Sequence, residues 1–301
     1  MGEKLILFDA NIIIPPAVWD LYKRTLEVPK SPGSPHLKEN TAIEDSELAR
    51  AVREVELAQG IISDETRVTR GVVNQALNQI NKVSDNIKRR GSDYLFVAFN
   101  YCLNRSVREN NERIYASLLD LETKLENLGE TAKNMQYKPS YDEYYSAFTT
   151  FVRGLHSSFF DVRKADHAPD FGADEELVIG AVYESFINHK SVEVISNDND
   201  IACLLGTCYA VLEKARPLVS KNENFRRFYE NKPRLFRMDS YEGGPSEVDT
   251  LSKGEYIIRT LSGFGAPGSL SEDEIRQYNN KVTQLVHFIN TTISSLTRSE
   301  D

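Results

Sequence analysis

The sequence predicts an α/β fold with a central, mostly parallel sheet, interrupted by an all-helical insertion, and three observations carry that reading. Two short apolar runs, Leu5-Ile6-Leu7-Phe8 and Val192-Glu193-Val194-Ile195, read as buried strands and stand among stretches of helical periodicity. Each run leads into acid: Asp9 directly follows the first, and Asp198 and Asp200 follow the second. Between them, from about residue 82 to 163, strand signals vanish and apolar residues recur at helical spacing, as in Ile114, Leu118, Leu121, Leu125 and Leu128.

Composition sets the class. With 301 residues, 40% hydrophobic and 27% charged, the chain can bury a sizeable core. Its apolar stretches fall short of the ~20 residues a bilayer crossing needs, and a strand opens the chain where a signal region would stand. No membrane association is therefore expected. Cys102, Cys203 and Cys208 lack paired spacing, which fits reduced thiols and a cytoplasmic setting. The net charge of −9 argues against a basic coat for nucleic acid, although a local basic stripe can still dock a phosphate backbone.

The elements follow in order. After the strand Lys4-Phe8, Pro15-Pro16 suits a helix start. A Pro-broken loop leads to Thr41 and Glu44, spaced as a capping box ahead of a helix through Leu48, Val52 and Val55 that ends near Gly60. Ile61-Ile62 then predicts a brief strand, with a helix from about Asp64. The insertion ends in a run rich in Tyr141, Tyr144, Tyr145, Phe148, Phe151, Phe159 and Phe160, read as a core-facing helix side. The alternation resumes with a helix at Asp174-His189, a strand at Ser191-Ile195, a helix at Asp200-Lys214 and a last strand at Arg234-Met238. This divides the chain into an α/β domain at 1–245 and an extension at 246–301. Glu242-Gly243-Gly244-Pro245 reads as the linker, and Ser271 with Glu274 caps a long amphipathic helix bearing Ile275, Tyr278, Val282, Leu285, Val286, Ile289, Ile293 and Leu296. That stripe must be covered, by the parent domain, a second copy or a protein partner.

The acids at the strand ends are the candidate site. In a parallel sheet both strand ends emerge at one carboxyl-end edge, where open α/β folds place ligands. Asp174, in Ala173-Asp174-Glu175-Glu176-Leu177-Val178-Ile179-Gly180-Ala181, starts the helix that precedes the second strand. Each of Asp174, Asp198 and Asp200 could serve only as a helix cap. Asp9, set between apolar runs, is costly to desolvate without a cation or donors, and several converging carboxylates repel unless a divalent ion neutralises them. Hard oxygen ligands point to Mg²⁺ or Mn²⁺.

Phe8-Asp9-Ala10-Asn11-Ile12-Ile13-Ile14, Asp174-x-x-Leu177-Val178-x-x-Ala181 and Ile195-Ser196-Asn197-Asp198-Asn199-Asp200-Ile201 together resemble the acidic motifs of PIN-domain nucleases. The resemblance covers about residues 3–80 and 166–240. It implies a three-layer PIN-like domain and metal-dependent hydrolysis of RNA, less often DNA. It also implies Asp9, Asp174, Asp198 and Asp200 as metal ligands and catalytic residues, with Asn11 and Ser196 orienting them. That family usually carries an acid on the helix after the second strand. Here Glu65 is the candidate, and Thr69 and Arg70 stand where the acid would more naturally fall. Without that fourth acid the chain would be a weak or inactive scaffold, the alternative reading.

Attraction for RNA is expected from a basic stripe of Lys214, Arg216, Lys221, Arg226, Arg227, Lys232, Arg234 and Arg237, interleaved with Phe225, Phe228, Tyr229 and Phe236. A second cluster joins Lys88, Arg89 and Arg90 to Arg105 and Arg108. Other chemistries fit less well. A calcium loop starting at Asp198 would need a glycine where Cys203 stands and a glutamate at Tyr209. An aspartyl phosphohydrolase would need an acid at Asn11. His156 and His167 have no zinc spacing, and Gly263-Phe264-Gly265 lacks the third glycine of a phosphate loop.

Overall fold

Apolar residues of β1, β3 and β4 point to alternate faces, and that alternation builds two cores on one sheet. The computed structural model describes residues 3–26, 43–100, 104–159, 172–219 and 229–252, with single positions 226, 273 and 276. Five strands, β1 (Lys4–Phe8), β2 (Thr66–Arg67), β3 (Ser191–Ile195), β4 (Arg234–Arg237) and β5 (Ser246–Glu247), lie in the order β2-β1-β3-β4-β5. All neighbours are parallel except β4 and β5. Leu5, Leu7, Val192, Val194 and Leu235 enter one core, while Phe8 and Ile195 enter the other with Ile6 and Phe236 packed against it. A fully buried side chain such as Leu7 contributes about 2 kcal/mol of transfer free energy.

Helices cover both faces. The first core takes residues from α6 (Glu143–Phe159), α7 (Ala173–Phe186) and α8 (Asn199–Val219). The second takes them from α1 (Ala10–Ile13), α2 (Pro16–Leu21), the π-helical turn Tyr22–Leu26, α3 (Asp45–Gly60), α4 (Arg70–Asn100) and α5 (Arg105–Asn134). The molecule is thus mixed α/β, helices on either side of a mostly parallel sheet. None of the described helices is long and apolar enough to cross a membrane.

Several expectations shift. Ile61-Ile62 is not a strand: the Ile61 N–H closes α3 onto the Leu57 carbonyl, and the Ser63 N–H donates to Thr66 Oγ1 at 3.0 Å, delaying the strand to Thr66. The following helix therefore starts at Arg70, not near Asp64. The expected insertion boundary at residue 82 falls inside α4, whose apolar stripe continues unbroken through Val83 and Ile87. α6, assigned by sequence to the same insertion as α5, joins the first core instead, through Tyr145, Phe148 and Phe151; Tyr141 of the same aromatic run is exposed. Beyond the linker expected at Glu242-Gly243-Gly244-Pro245, β5 pairs back on β4, so the first residues of the expected extension belong to the sheet. Thr41, Phe160 and the helix expected after Ser271 lie outside the described residues, save the single positions 273 and 276.

Candidate functional site

Register decides what meets at the carboxyl-end edge. Phe8 pairs with Ile195 and Ile195 with Phe236, so Asp9, Ser196 and Arg237 leave the sheet at one level. The Asp9 N–H donates to the Ile195 carbonyl at 3.1 Å, continuing the strand, while its side chain caps α1. Oδ1 accepts from the Ala10 N–H at 2.6 Å, and Oδ2 accepts from the Ser196 hydroxyl at 2.7 Å. Asp9 is only 2% exposed, and burial pushes its carboxyl up to about 6. The hydrogen bonds from Ser196 and Ala10 oppose that rise, Asp198 adds to it, and Asn11 lowers it.

Ser196 is the hinge of the site. Its N–H donates to the Phe236 carbonyl, and its Oγ accepts from the Asp198 N–H at 2.9 Å while donating to Asp9. One buried hydroxyl thereby fixes the two strand-end acids relative to each other. Asn11 Oδ1 accepts from the Asn197 N–H at 3.1 Å, and the Asn197 amide clamps the Met238 carbonyl and N–H at 3.0 and 2.9 Å. The two orienting residues expected from sequence, Asn11 and Ser196, thus tie β1, β3 and β4 together. Asp198 Oδ1 caps α8 by accepting from the Asp200 N–H at 2.8 Å; Asp200 itself is exposed.

Asp174 arrives on the first turn of α7 and is half-buried. Its carboxyl is pushed up to about 7, first by burial, then by Asp9, Asp198, Glu175 and Asp200. The α7 acid thus feels all three strand-end acids, although 165 residues separate it from Asp9. It accepts no hydrogen bond from a described residue, and none of the four acids makes an ion pair among the described residues. The N-termini of α1, α4, α7 and α8 share this edge, so their partial positive ends face the acids.

Glu65 does not join them. It precedes β2, is exposed, and its carbonyl accepts from the Ile6 N–H, level with the middle of β1 and away from Asp9. The late start of β2 is the cause. Where an acid was expected after β2, Thr69 is buried with its hydroxyl toward the Val72 N–H, and Arg70 opens α4. The acid that does reach this corner is Glu176 of α7, whose Oε2 accepts from the Gly71 N–H at 2.6 Å. A Cβ on Gly71 would lie 2.6 Å from that oxygen and 2.8 Å from Ala173 Cα, so only glycine lets the two helix starts meet. The run of three acids at 174–176 was the available sequence signal, but it could not assign separate duties. Glu175 turns back to the Gly172 N–H at 2.8 Å.

The basic stripe divides. α8 leaves the carboxyl edge and must return to the amino edge so that β4 can run parallel to β3. Arg216, near its end, pairs with Glu213 and lies over the Tyr229 ring, and Lys232 lies over Tyr209. Arg234, at the start of β4, holds Glu193 at 2.6 Å, and Arg226 lies 3.9 Å from Glu230. Only Arg237, of the stripe residues whose side chains are described, stands at the acidic edge. Lys221, Arg227 and the side chain of Lys214 lie outside the described residues. In the second cluster Lys88 pairs with Glu122, Arg89 with Asn86, Arg105 with Glu109 and Arg108 with Glu112. Lys88 stands about 27 Å along α4 from its start, too far to line the site.

Among the described residues, no three Asp, Glu, His or Cys side chains are gathered closely enough to grip an ion as they stand. In donor type and charge the set still fits a hard divalent cation, because all its members are oxygens and two are disfavoured as free anions. Compared with protein-family models, curated proteins and solved structures, the chain matches none.

Proposed function

We propose that the chain is a metal-dependent phosphodiester hydrolase of the PIN-nuclease kind, acting on RNA, with DNA as the lesser substrate. Asp9, Asp174 and Asp198 would hold Mg²⁺ or Mn²⁺, and Asp200 would assist. The observation that carries this reading is the upward push on Asp174 by burial and by Asp9, Asp198 and Asp200 together. Carboxylates brought into electrostatic range of one another repel, and a divalent cation would relieve that repulsion. When bound, the ion would supply an acidified water and neutralise charge on the phosphate.

The chain's own residues do the rest. Ser196 keeps Asp9 and Asp198 facing one another, and burial holds Asp9 nearly solvent-free. Because burial raises the proton affinity of Asp9 and Asp174, cation binding would release protons. Glu176 and Gly71 lock the α4 and α7 starts together, holding Asp174 in place on the first turn of α7.

The test is cleavage of a fluorogenic single-stranded RNA under Mg²⁺ or Mn²⁺ titration, with wild type beside Asp9→Ala, Asp174→Asn and Asp198→Ala. Metal-dependent cleavage by wild type, lost in all three folded variants, is expected. Undiminished cleavage by Asp9→Ala would place the activity elsewhere. The position of Glu65 favours one second reading, a cation-binding scaffold without turnover. It predicts Mn²⁺ binding that depends on Asp174 with no cleavage of any RNA or DNA tried.

A further inference from the structure

We propose that Arg237 is the phosphate-binding residue of this edge, its guanidinium gripping a non-bridging oxygen of the RNA phosphodiester beside the acids. The inference rests on the hydrolase reading and deepens it by naming what holds the substrate.

The cations of β4 show the contrast. Arg234, at one end of the strand, is taken up by Glu193 and lies near Glu247. Arg237, at the other end, makes no ion pair among the described residues. Its Nη2 donates to Asn199 Oδ1, on the residue between Asp198 and Asp200, while its Nε is buried without a hydrogen-bond partner. A buried N–H of a charged group left unmade is costly, and such groups in native folds call for a partner that the protein does not supply. An oxyanion suits that vacancy, because Nε with an Nη presents the fork that matches phosphate bidentately.

Position supports the same partner. Arg237 leaves the sheet level with Asp9 and Ser196, and the two hydrogen bonds between the Asn197 amide and Met238 pin the residue immediately after it. The guanidinium is therefore anchored by β4 and by Asn199 while keeping a donor spare. A phosphodiester approaching four acids also needs one fixed positive charge on the protein. Of the described stripe residues, Arg237 is the one that stands at this edge and bonds a residue between two of the acids.

The experiment compares wild type, Arg237→Gln and Arg237→Lys, each checked for an unchanged circular-dichroism spectrum and melting temperature. Binding of a fluorescein-labelled single-stranded oligoribonucleotide is followed by anisotropy with Ca²⁺ in place of Mg²⁺, across a salt series, and Mn²⁺ binding by calorimetry without RNA. For Arg237→Gln we expect RNA affinity to fall by about tenfold. The slope of log K against log salt should become shallower by about 0.7, one single-strand phosphate contact. Mn²⁺ affinity should not fall. Arg237→Lys should restore the slope but only part of the affinity, because an ammonium lacks the fork. Unchanged RNA affinity and slope in Arg237→Gln would overturn the assignment, and if wild type still cleaves, the hydrolase reading survives it. Arg237-dependent RNA binding by a wild type that never cleaves would keep this assignment and sink the hydrolase. A wild type that binds no RNA overturns both.

Discussion

In the amino-terminal half of the sheet, Glu193 lies between Lys4 at 3.1 Å and Arg234 at 2.6 Å. Lys190 reaches Glu184 and Glu3, and Glu184 also takes the Tyr137 hydroxyl at 2.5 Å. At the carboxyl-end edge, Asp174 feels Asp9, Asp198 and Asp200, and Arg237 turns to an asparagine. The residue types are the same at both ends, but the protein completes one set of charges and leaves the other open. Completed pairs belong to the fold. On the proposed reading, open carboxylates with raised proton affinity mark a site, because they cost stability in the absence of a ligand and would recover it on binding.

The contrast is broken most decisively through the acids. If the hydrolase reading holds, Asp174→Asn should lower metal-dependent cleavage by at least about 100-fold, more than loss of an outer-shell partner gives. Ser196→Ala should lower it by about 10- to 100-fold while retaining the fold, since it removes the donor that sets both Asp9 and Asp198. Single-turnover rates at saturating metal measure both. A Ser196→Ala enzyme at full rate would mean that the hydroxyl merely fills a turn.

Stability against pH sharpens the comparison next. Asp9 and Asp174 bind protons more tightly folded, at about 6 and about 7, than at their ordinary 3.8. The folded state therefore holds more protons between those limits, and unfolding free energy must fall as pH rises through that window. The metal-free protein should accordingly be more stable at pH about 5 than at about 8, by up to about 4 kcal/mol from these groups and less as solvent screens the half-buried Asp174. Asp174→Asn should flatten that slope. Mg²⁺ should raise the melting temperature at the higher pH and little at the lower one, where protons occupy the carboxylates. Denaturant titrations across pH, with and without Mg²⁺, measure all three effects. A rise of metal-free stability with pH would contradict the charge arrangement described for the edge.

Smaller effects are expected from the scaffold. Gly71→Ala forces the α4 and α7 starts apart and should cost about 1–3 kcal/mol. It should also lower Mn²⁺ affinity, as Asp174 rides on α7. Smallest of all is Glu193→Gln, which removes a partly exposed pair and should change stability by about 1 kcal/mol or less, leaving metal binding untouched. A metal-binding defect in Glu193→Gln would erase the distinction between the two ends of the sheet.

The strand at 191–195, the helix ending at Gly60 and the acids at positions 9, 174 and 198 were legible because period-two and period-3.6 patterns are local. β2 was misplaced because two isoleucines outweighed a Ser–Thr turn in which a hydroxyl takes the place of a backbone acceptor. The expected insertion boundary at residue 82 has no local mark in the fold. α4 keeps one amphipathic stripe while its burial passes from contacts with α1 and α7 to contacts with α5, and nothing in the stripe marks the transfer. The basic stripe does not stay together, because β4 carries its described members from Arg234 at one end of the strand to Arg237 at the other.

By itself the sequence determined the α/β class, the turn acids and the residues able to orient them, since each depends on a few neighbouring side chains. Only the tertiary structure decided which acids share an edge, that Glu65 is excluded while Glu176 reaches Gly71, and that Arg237 parts from the rest of its stripe. Those outcomes follow from strand register and from the direction in which each helix returns, which are set by how two cores close on one sheet.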